Sequence, residues 1–109
     1  MDSEALLVIT NLPDRPSADT LASALVERRA AACVNILAPC SSVYRWKGTV
    51  ERAEEFPLFA KTTADRYPFV EHVIRELHPY ELPEIIAVRL AGGLSAYLQW
   101  VEAETHPNT

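Results

Sequence analysis

The stretch Ala5-Leu6-Leu7-Val8-Ile9 decides the fold class, because five consecutive residues near the start of the chain offer no side chain for contact with water. A strand with one solvated face alternates apolar and polar residues, whereas an unbroken apolar run is typical of a strand that is buried on both faces. We therefore predict a central strand over residues 5–12.

Two segments downstream of this strand have the periodicity of amphipathic helices, with apolar residues recurring at i, i+3, i+4 and i+7. The first helix is predicted to start at an N-cap, Ser17, and to end near residue 29. The second is predicted over residues 66–78, with Asp65 as its cap, and it has to end there because Pro79 follows.

The remaining pattern predicts three more strands and a short helix, over residues 33–46, 51–63, 84–90 and 95–104. Residues 47–49 are predicted to form a hairpin tip, because Gly48 supplies a positive φ. The strand with Pro39 is expected at a sheet edge, bent near that proline, and Pro57 is expected outside the main ladder or at a bulge. Residues 105–109 are expected to fray.

The element order is β-α-β-β-α-β with one further helix. Right-handed crossovers place the two long helices on the same face of one antiparallel sheet, with the first and third strands in the centre. This predicts an α+β fold of ferredoxin-like topology, with a single domain over residues 1–109.

Composition excludes several classes of function. The net charge of −5 and the lack of a basic cluster argue against nucleic-acid binding. No apolar run is long enough for a membrane helix, and the acidic start does not resemble a secretory signal. Cys33 and Cys40 are too far apart along one strand for a disulfide, so reduced thiols and a cytoplasmic location are expected.

The sheet has more apolar surface than two helices can cover, because Leu6 and Val8 point opposite to Leu7 and Ile9. Self-association would bury the second face, and the alternative is that the short last helix covers it alone. Base rates favour a dimer over a trimer. The candidate oligomer-interface residues are the aromatic side chains of the long hairpin, Tyr44, Trp46, Phe56 and Phe59.

Five stretches together resemble the CutA divalent-cation tolerance family: RRAAACVNIL (28–37), SVYRWKGTVE (42–51), LFAKT (58–62), HPYELPEIIAV (78–88), and Gly92-Gly93 followed by YLQWV (97–101). The resemblance implies a ferredoxin-like fold and a tight homotrimer like that of the PII signalling proteins. It also implies a role in divalent cation tolerance and the response to metal ions, with copper binding in some members, and the family has no established catalytic activity.

The candidate metal ligands are His78, Cys33 and Glu81, because an imidazole and a thiolate suit copper and a carboxylate can serve as a third ligand. No cofactor is required, and copper or another divalent cation is the candidate metal. The alternatives are structural: His78 follows a helix end, and Cys33 begins a buried strand.

A third hypothesis is a small-ligand sensor of PII-like architecture, in which Lys61, Tyr80, Glu84 and Trp46 line a cleft between subunits. A protein-interaction scaffold without metal dependence is a further alternative. Acylphosphatases share the predicted topology, but Arg15 lies between prolines in a loop without glycine, which serves phosphate chemistry poorly. We therefore expect that the chain is not an enzyme.

Overall fold

The structure is a computed structural model that describes residues 4–106. Its elements in chain order are β1 Ala5–Leu12, α1 Arg15–Glu27, β2 Cys33–Ile36, β3 Cys40–Trp46, β4 Thr49–Thr63, α2 Tyr67–Leu77, β5 Ile86–Arg89 and α3 Ser95–Thr105. Within that part of the chain, every helix is too short or too polar to cross a membrane.

The strands form one antiparallel sheet in the order β2-β4-β1-β5, with β3 paired to β4 beyond the end of β2. The predicted first and third strands, β1 and β4, are central, and the two crossovers contain α1 and α2. This is the predicted ferredoxin-like topology. The last strand is shorter than predicted, with four residues instead of seven.

The core lies between this sheet and the two long helices. Val8 and Leu58 of the central strands are fully buried there, against Leu21 and Leu25 of α1 and Ile74 of α2. The helical periodicity in the sequence selected these faces correctly, because the apolar stripe of each helix has only the sheet to pack against.

The predicted second strand is two strands, interrupted at residues 37–39. The expectation that Pro57 lies outside the main ladder or at a bulge is wrong, because the central strand β4 continues through it and Pro57 pairs with Asn11 of β1. Pro57 lies opposite this interruption. The Leu37 N–H donates to the Pro57 carbonyl at 2.8 Å, and the nitrogen and oxygen of one strand residue face the same neighbour. The nitrogen of Pro57, which carries no hydrogen, therefore faces the gap between β2 and β3. Neither strand has a residue paired with Pro57 there, so the missing N–H breaks no ladder hydrogen bond.

Two predicted helix caps are wrong. The N-cap of α1 is Asp14, whose carboxylate accepts a hydrogen bond of 2.8 Å from the backbone N–H of Ser17. The helix starts earlier than predicted, at Arg15, and Pro16 lies in its first turn. Proline fits there because a backbone N–H in the first turn has no partner within the helix. Asp65 does not cap α2 either, since it lies in a 3-10 turn over Ala64–Arg66 and binds Thr63 and His106 instead.

The C-terminal helix extends further than predicted. Thr105 is not frayed but fully buried, and its hydroxyl donates to the Val101 carbonyl at 2.8 Å. His106 bonds Asp65 through Nε2 at 2.8 Å and the Glu102 carbonyl through Nδ1 at 2.6 Å. The predicted fraying is therefore wrong at residues 105 and 106, and residues 107–109 lie outside the described part of the chain.

The sheet face opposite α1 and α2 is called here the outer sheet face. The strand register places two rows on it: Cys33, Lys61, Leu7 and Val88, and Asn35, Phe59, Ile9 and Ile86. Helix α3 packs against β4 and β1 and buries Val101. It leaves Ile86 and Val88 49% and 46% exposed. One chain therefore covers this face only in part.

Candidate functional site

A cleft of about 860 Å³ lies between the hairpin and the segment that follows α2. It exists because β4 is 15 residues long and β1 only 8, so that the register ends at Leu12 opposite Phe56. Beyond that point β3 and the first half of β4 continue as a two-stranded arm. The cleft is lined by residues of this arm, of the end of β1 and of the segment after α2: Asn11, Ser42, Val43, Tyr44, Trp46, Glu55, Pro79, Tyr80, Glu81, Leu82, Pro83 and Glu84.

His78 fixes the segment after α2 against the sheet. The backbone N–H of Tyr80 donates to Nδ1 of His78 at 3.1 Å, so Nε2 carries the ring hydrogen and donates to the Asn11 carbonyl at 2.7 Å. Burial lowers the pKa of His78, which keeps the ring neutral near pH 7. Both ring nitrogens are therefore engaged in holding the chain.

A buried carboxylate and a phenol meet at the base of the cleft. Glu55 is only 7% exposed, and its Oε2 accepts a hydrogen bond of 2.8 Å from the Tyr80 hydroxyl. Burial raises the pKa of Tyr80 well above the usual range for a phenol, and the hydrogen bond and charge of Glu55 raise it further. The Tyr80 hydroxyl therefore remains a donor at every physiological pH.

A second carboxylate is held at the end of β1. The Asn11 side-chain amide donates to Oε1 of Glu84 at 3.1 Å. Together with Glu55 and Glu81, this places three carboxylates in the lining, while no lysine, arginine or histidine is among the lining residues. The cleft of one chain is therefore acidic, and the aromatic residues among those that line it are Tyr44, Trp46 and Tyr80.

The predicted ligand-cleft residues are partly brought together. Tyr80, Glu84 and Trp46 line the cleft, as does Tyr44 from the predicted oligomer interface. Lys61 does not, because the register of β4 turns it onto the outer sheet face beside Leu7. Its ammonium group contacts the Asn35 side chain there and lies 4.0 Å from the Cys33 sulfur.

The other two predicted interface aromatics lie on opposite faces of β4. Phe56 packs against the chain's own core on the helix side. Phe59 is half-buried on the outer sheet face, paired with Ile9 and Asn35. Phe59 therefore lies on the face that one chain covers only in part.

The predicted metal ligands are not brought together as a metal centre. Cys33 interacts with Lys61 and with Tyr97 of α3, whereas His78 is committed to the backbone and Glu81 lines the cleft. Across residues 4–106 there is no group of three His, Cys, Asp or Glu side chains that could hold a metal ion. Within the described residues of one chain, His78, Cys33 and Glu81 therefore do not form a copper site.

Glu55 and Asn11 escaped the sequence analysis. Glu55 stands next to Glu54 in a strand, and alternation alone shows only that the two side chains point to opposite faces. Glu55 gains its role in the cleft from Tyr80, which lies 25 residues further along the chain. Asn11 gains its role from Glu84, which lies 73 residues further along. Arg15, considered above for phosphate chemistry, forms an exposed ion pair with Asp19 at 3.0 Å instead.

Comparisons with known proteins identify the family. The family described as CutA1 divalent ion tolerance protein matches residues 6–104. The chain is 42% identical over 99 residues to the divalent-cation tolerance protein CutA of Thermus thermophilus, covering 91% of this chain and 96% of that protein. It is 40% identical over 93 residues to protein CutA of Homo sapiens, covering 85% of this chain but 52% of that protein, so it spans about half the length of the human relative.

The fold agrees with solved structures of similar sequence. The crystal structure of CutA from Xylella fastidiosa superposes with a TM-score of 0.92 at 40% identity, covering 95% of this chain and 100% of that one. The CutA1 structure from Thermus thermophilus gives a TM-score of 0.91 at 41% identity, covering 94% and 99%. The resemblance found in the sequence is thereby confirmed, and the chain belongs to the CutA1 divalent ion tolerance family.

Proposed function

We propose that this chain acts in the cytoplasm as a homotrimer in the tolerance of divalent cations, without catalysing a reaction. Membership of a family named for divalent ion tolerance supports the cellular role. The observation that carries the oligomeric part is the outer sheet face, which a single chain covers only in part.

The exposed apolar residues of this face are contiguous. Val88 pairs with Leu7, and Ile86 pairs with Ile9, so the two exposed side chains continue the half-buried apolar rows of the central strand. Contiguous apolar surface of this kind is rare on monomers and marks a contact surface. Identical chains packing these faces together would bury it.

The molecular mass in dilute solution tests this part of the proposal. We expect light scattering to give about three times the chain mass of 12.2 kDa. A Val88→Glu variant should give a smaller species, because it places an unpaired carboxylate in the contact surface. Val26→Glu is the matched control, since Val26 is 43% exposed on α1, away from this face. A folded wild-type species of 12.2 kDa would contradict the proposal.

The tolerance role is proposed here without a copper site inside one chain, because the described residues do not form one. A copper site formed by ligands from more than one chain would be consistent with this arrangement. A Cu(II) titration of the assembled protein tests this. A His78→Ala variant should lose thermal stability and keep any copper affinity, since both His78 nitrogens bind the chain itself. Loss of copper binding in that variant, with its mass unchanged, would restore His78 as a ligand.

The cleft supports a second candidate function, the binding of a small ligand as a sensor. Its volume suits a ligand of ordinary metabolite size, and apolar walls with a few fixed polar groups are typical of such sites. A sensor predicts that a small molecule raises the melting temperature without any added metal. A thermal-shift screen in the presence of a chelator measures this, and a complete lack of stabilising ligands would speak against it.

A further inference from the structure

We infer that a carboxylate of a neighbouring chain forms an ion pair with Lys61 on the outer sheet face of the assembled protein. This inference rests on the proposed homotrimer, and it specifies one residue of the contact between chains and the chemistry of its partner. Three observations carry it: the apolar surroundings of Lys61, the lack of a carboxylate partner in its own chain, and a surplus of unpaired glutamates.

Lys61 lies in the middle of the outer sheet face. The strand register places it between Leu7 of β1 and Cys33 of β2, one row away from Phe59 and Ile9. It is the only charged side chain in the two rows that the register assigns to this face. Identical chains that pack on this face would therefore take the Lys61 ammonium group out of water together with the apolar side chains around it.

Lys61 has no carboxylate partner in its own chain. Its ammonium group contacts the Asn35 side chain and lies 4.0 Å from the Cys33 sulfur, and Tyr97 of α3 interacts with Cys33 beside it. None of the ion pairs formed within residues 4–106 includes Lys61. Burying an ammonium group is costly unless an opposite charge compensates it. A chain that covers this face therefore has to bring a negative charge to Lys61.

A second copy of the chain can supply that charge. The chain has 15 acidic and 10 basic side chains, so carboxylates outnumber their possible cationic partners. Several glutamates form no ion pair within the part of the chain that the structure describes, among them Glu51, Glu54, Glu55, Glu81 and Glu84. Self-association therefore requires no further ligand or metal ion to neutralise Lys61.

An ion pair at this position would determine how the chains dock. Apolar side chains such as Leu7, Ile9 and Phe59 tolerate several relative positions of a second chain, because burial of apolar surface is not directional. A displaced chain would separate the two charges and leave both of them buried without a partner, which is strongly unfavourable. Lys61 would thus select one arrangement among the possible contacts of the outer sheet face.

Zero-length cross-linking tests the contact directly on the assembled protein. A water-soluble carbodiimide joins an amine to a carboxylate as an amide, with loss of water, only where the two groups are in contact. We expect a denaturing gel to show a species of twice the chain mass of 12.2 kDa. Mass spectrometry of its peptides should find Lys61 joined to an aspartate or a glutamate, which identifies the partner residue.

The small number of lysines makes the cross-link easy to assign, because the chain contains only Lys47 and Lys61. Lys61→Arg should abolish the cross-linked species and keep the mass of the assembly, since a guanidinium group retains the charge but does not couple. Lys47→Arg is the matched control and should leave the Lys61 cross-link unchanged. Lys47 lies at the hairpin tip, with its ammonium nitrogen 5.5 Å from the centroid of the Trp46 ring.

Removal of the charge tests the energetic part of the inference by the sign of its effect. Lys61→Met should raise the concentration at which the assembly dissociates at least about tenfold, because it leaves the neighbour's carboxylate buried without a partner. Light scattering measures this in urea at a concentration that half-dissociates the wild type. Arg75→Met is the matched control, since Arg75 is exposed on α2, and its effect should stay within about twofold because solvent screens its charge.

The outcomes separate the inference from the proposed homotrimer. A tighter or unchanged assembly in Lys61→Met would overturn the inference, because a lysine without a carboxylate partner only costs free energy at the contact. A cross-linked species that survives in Lys61→Arg would place the contact elsewhere, and an assembly without any Lys61 cross-link would overturn the inference alone. A folded wild-type species of 12.2 kDa would remove the homotrimer as well. If Lys61→Met does not fold, the cross-link in the wild type decides.

Discussion

The contact between His106 and Asp65 offers the sharpest test of how the C-terminal helix is held. The perturbation is His106→Ala. In the structure the ring donates to Asp65 through Nε2 at 2.8 Å and to the Glu102 carbonyl through Nδ1 at 2.6 Å. A histidine that donates from both nitrogens is protonated. The contact is therefore an ion pair between α3 and the turn before α2.

The pH window follows from the direction of the two pKa shifts. The hydrogen bond to Asp65 raises the pKa of His106 above 6.5, with help from the Glu102 carbonyl. Burial raises the pKa of Asp65, but hydrogen bonds from Thr63 and His106 and the charge of His106 outweigh it and lower that pKa below 3.8. The contribution of His106 to stability is fully present below pH 6.5, and the contribution of Asp65 is fully present above pH 3.8. The contribution of His106 is lost as the pH rises through its folded pKa.

The magnitude follows from the exposure of the pair. The side chains of His106 and Asp65 are 25% and 20% exposed, between an exposed pair, worth at most about 1 kcal/mol, and a buried charged hydrogen bond, worth about 1.5–3 kcal/mol. We expect His106→Ala to lower the free energy of unfolding by about 1–2 kcal/mol per chain near pH 5.5, and by about half as much near pH 8.5.

The assay is guanidinium unfolding at both pH values and at one fixed protein concentration, because an oligomer's stability depends on concentration. His72→Ala is the matched control. His72 is 71% exposed and lies 3.9 Å from Glu76, so its removal should change little at either pH. A loss in His106→Ala that is equal at both pH values, or no larger than that in His72→Ala, would refute the ion-pair argument.

Three further predictions concern stability, measured by the same unfolding assay. Thr10→Val should raise the free energy of unfolding by up to about 1 kcal/mol, because the buried Thr10 hydroxyl has no hydrogen-bond partner within the described residues; a clear loss would show that the hydroxyl is satisfied. Leu58→Ala should cost about 2–5 kcal/mol, since Leu58 is fully buried in the core, whereas Val26→Ala on the outside of α1 should cost no more than about 0.5 kcal/mol; similar costs would contradict the assigned core. Gly48→Ala should cost about 1 kcal/mol through backbone strain alone, because Gly48 has a φ of 83° and an added Cβ would meet no atom within 4 Å; an unchanged stability would mean that the turn relaxes.

The cleft shows where sequence analysis reached its limit. Tyr80, Glu84 and Trp46, predicted to line a cleft between subunits, lie together within one chain, because the motifs that contain them flank the same end of the sheet. Lys61 lies apart from them in that chain, because its direction depends on the register of β4 against two neighbours. A shift of register by one residue would reverse it. The charge of the residues that line the cleft therefore could not be predicted without the register of β4.

The sequence by itself determined the order of helices and strands, apart from the division of the second strand into β2 and β3, together with the central place of β1 and the family. These follow from local patterns, such as the apolar run at residues 5–9 and the helical spacing of apolar side chains, which act over a few residues. Only the tertiary structure decided that Asp65 holds His106 and that Glu55 is buried against Tyr80. These two contacts join residues 41 and 25 positions apart. Competition among polar partners of this kind is resolved only when packing brings them within hydrogen-bonding distance.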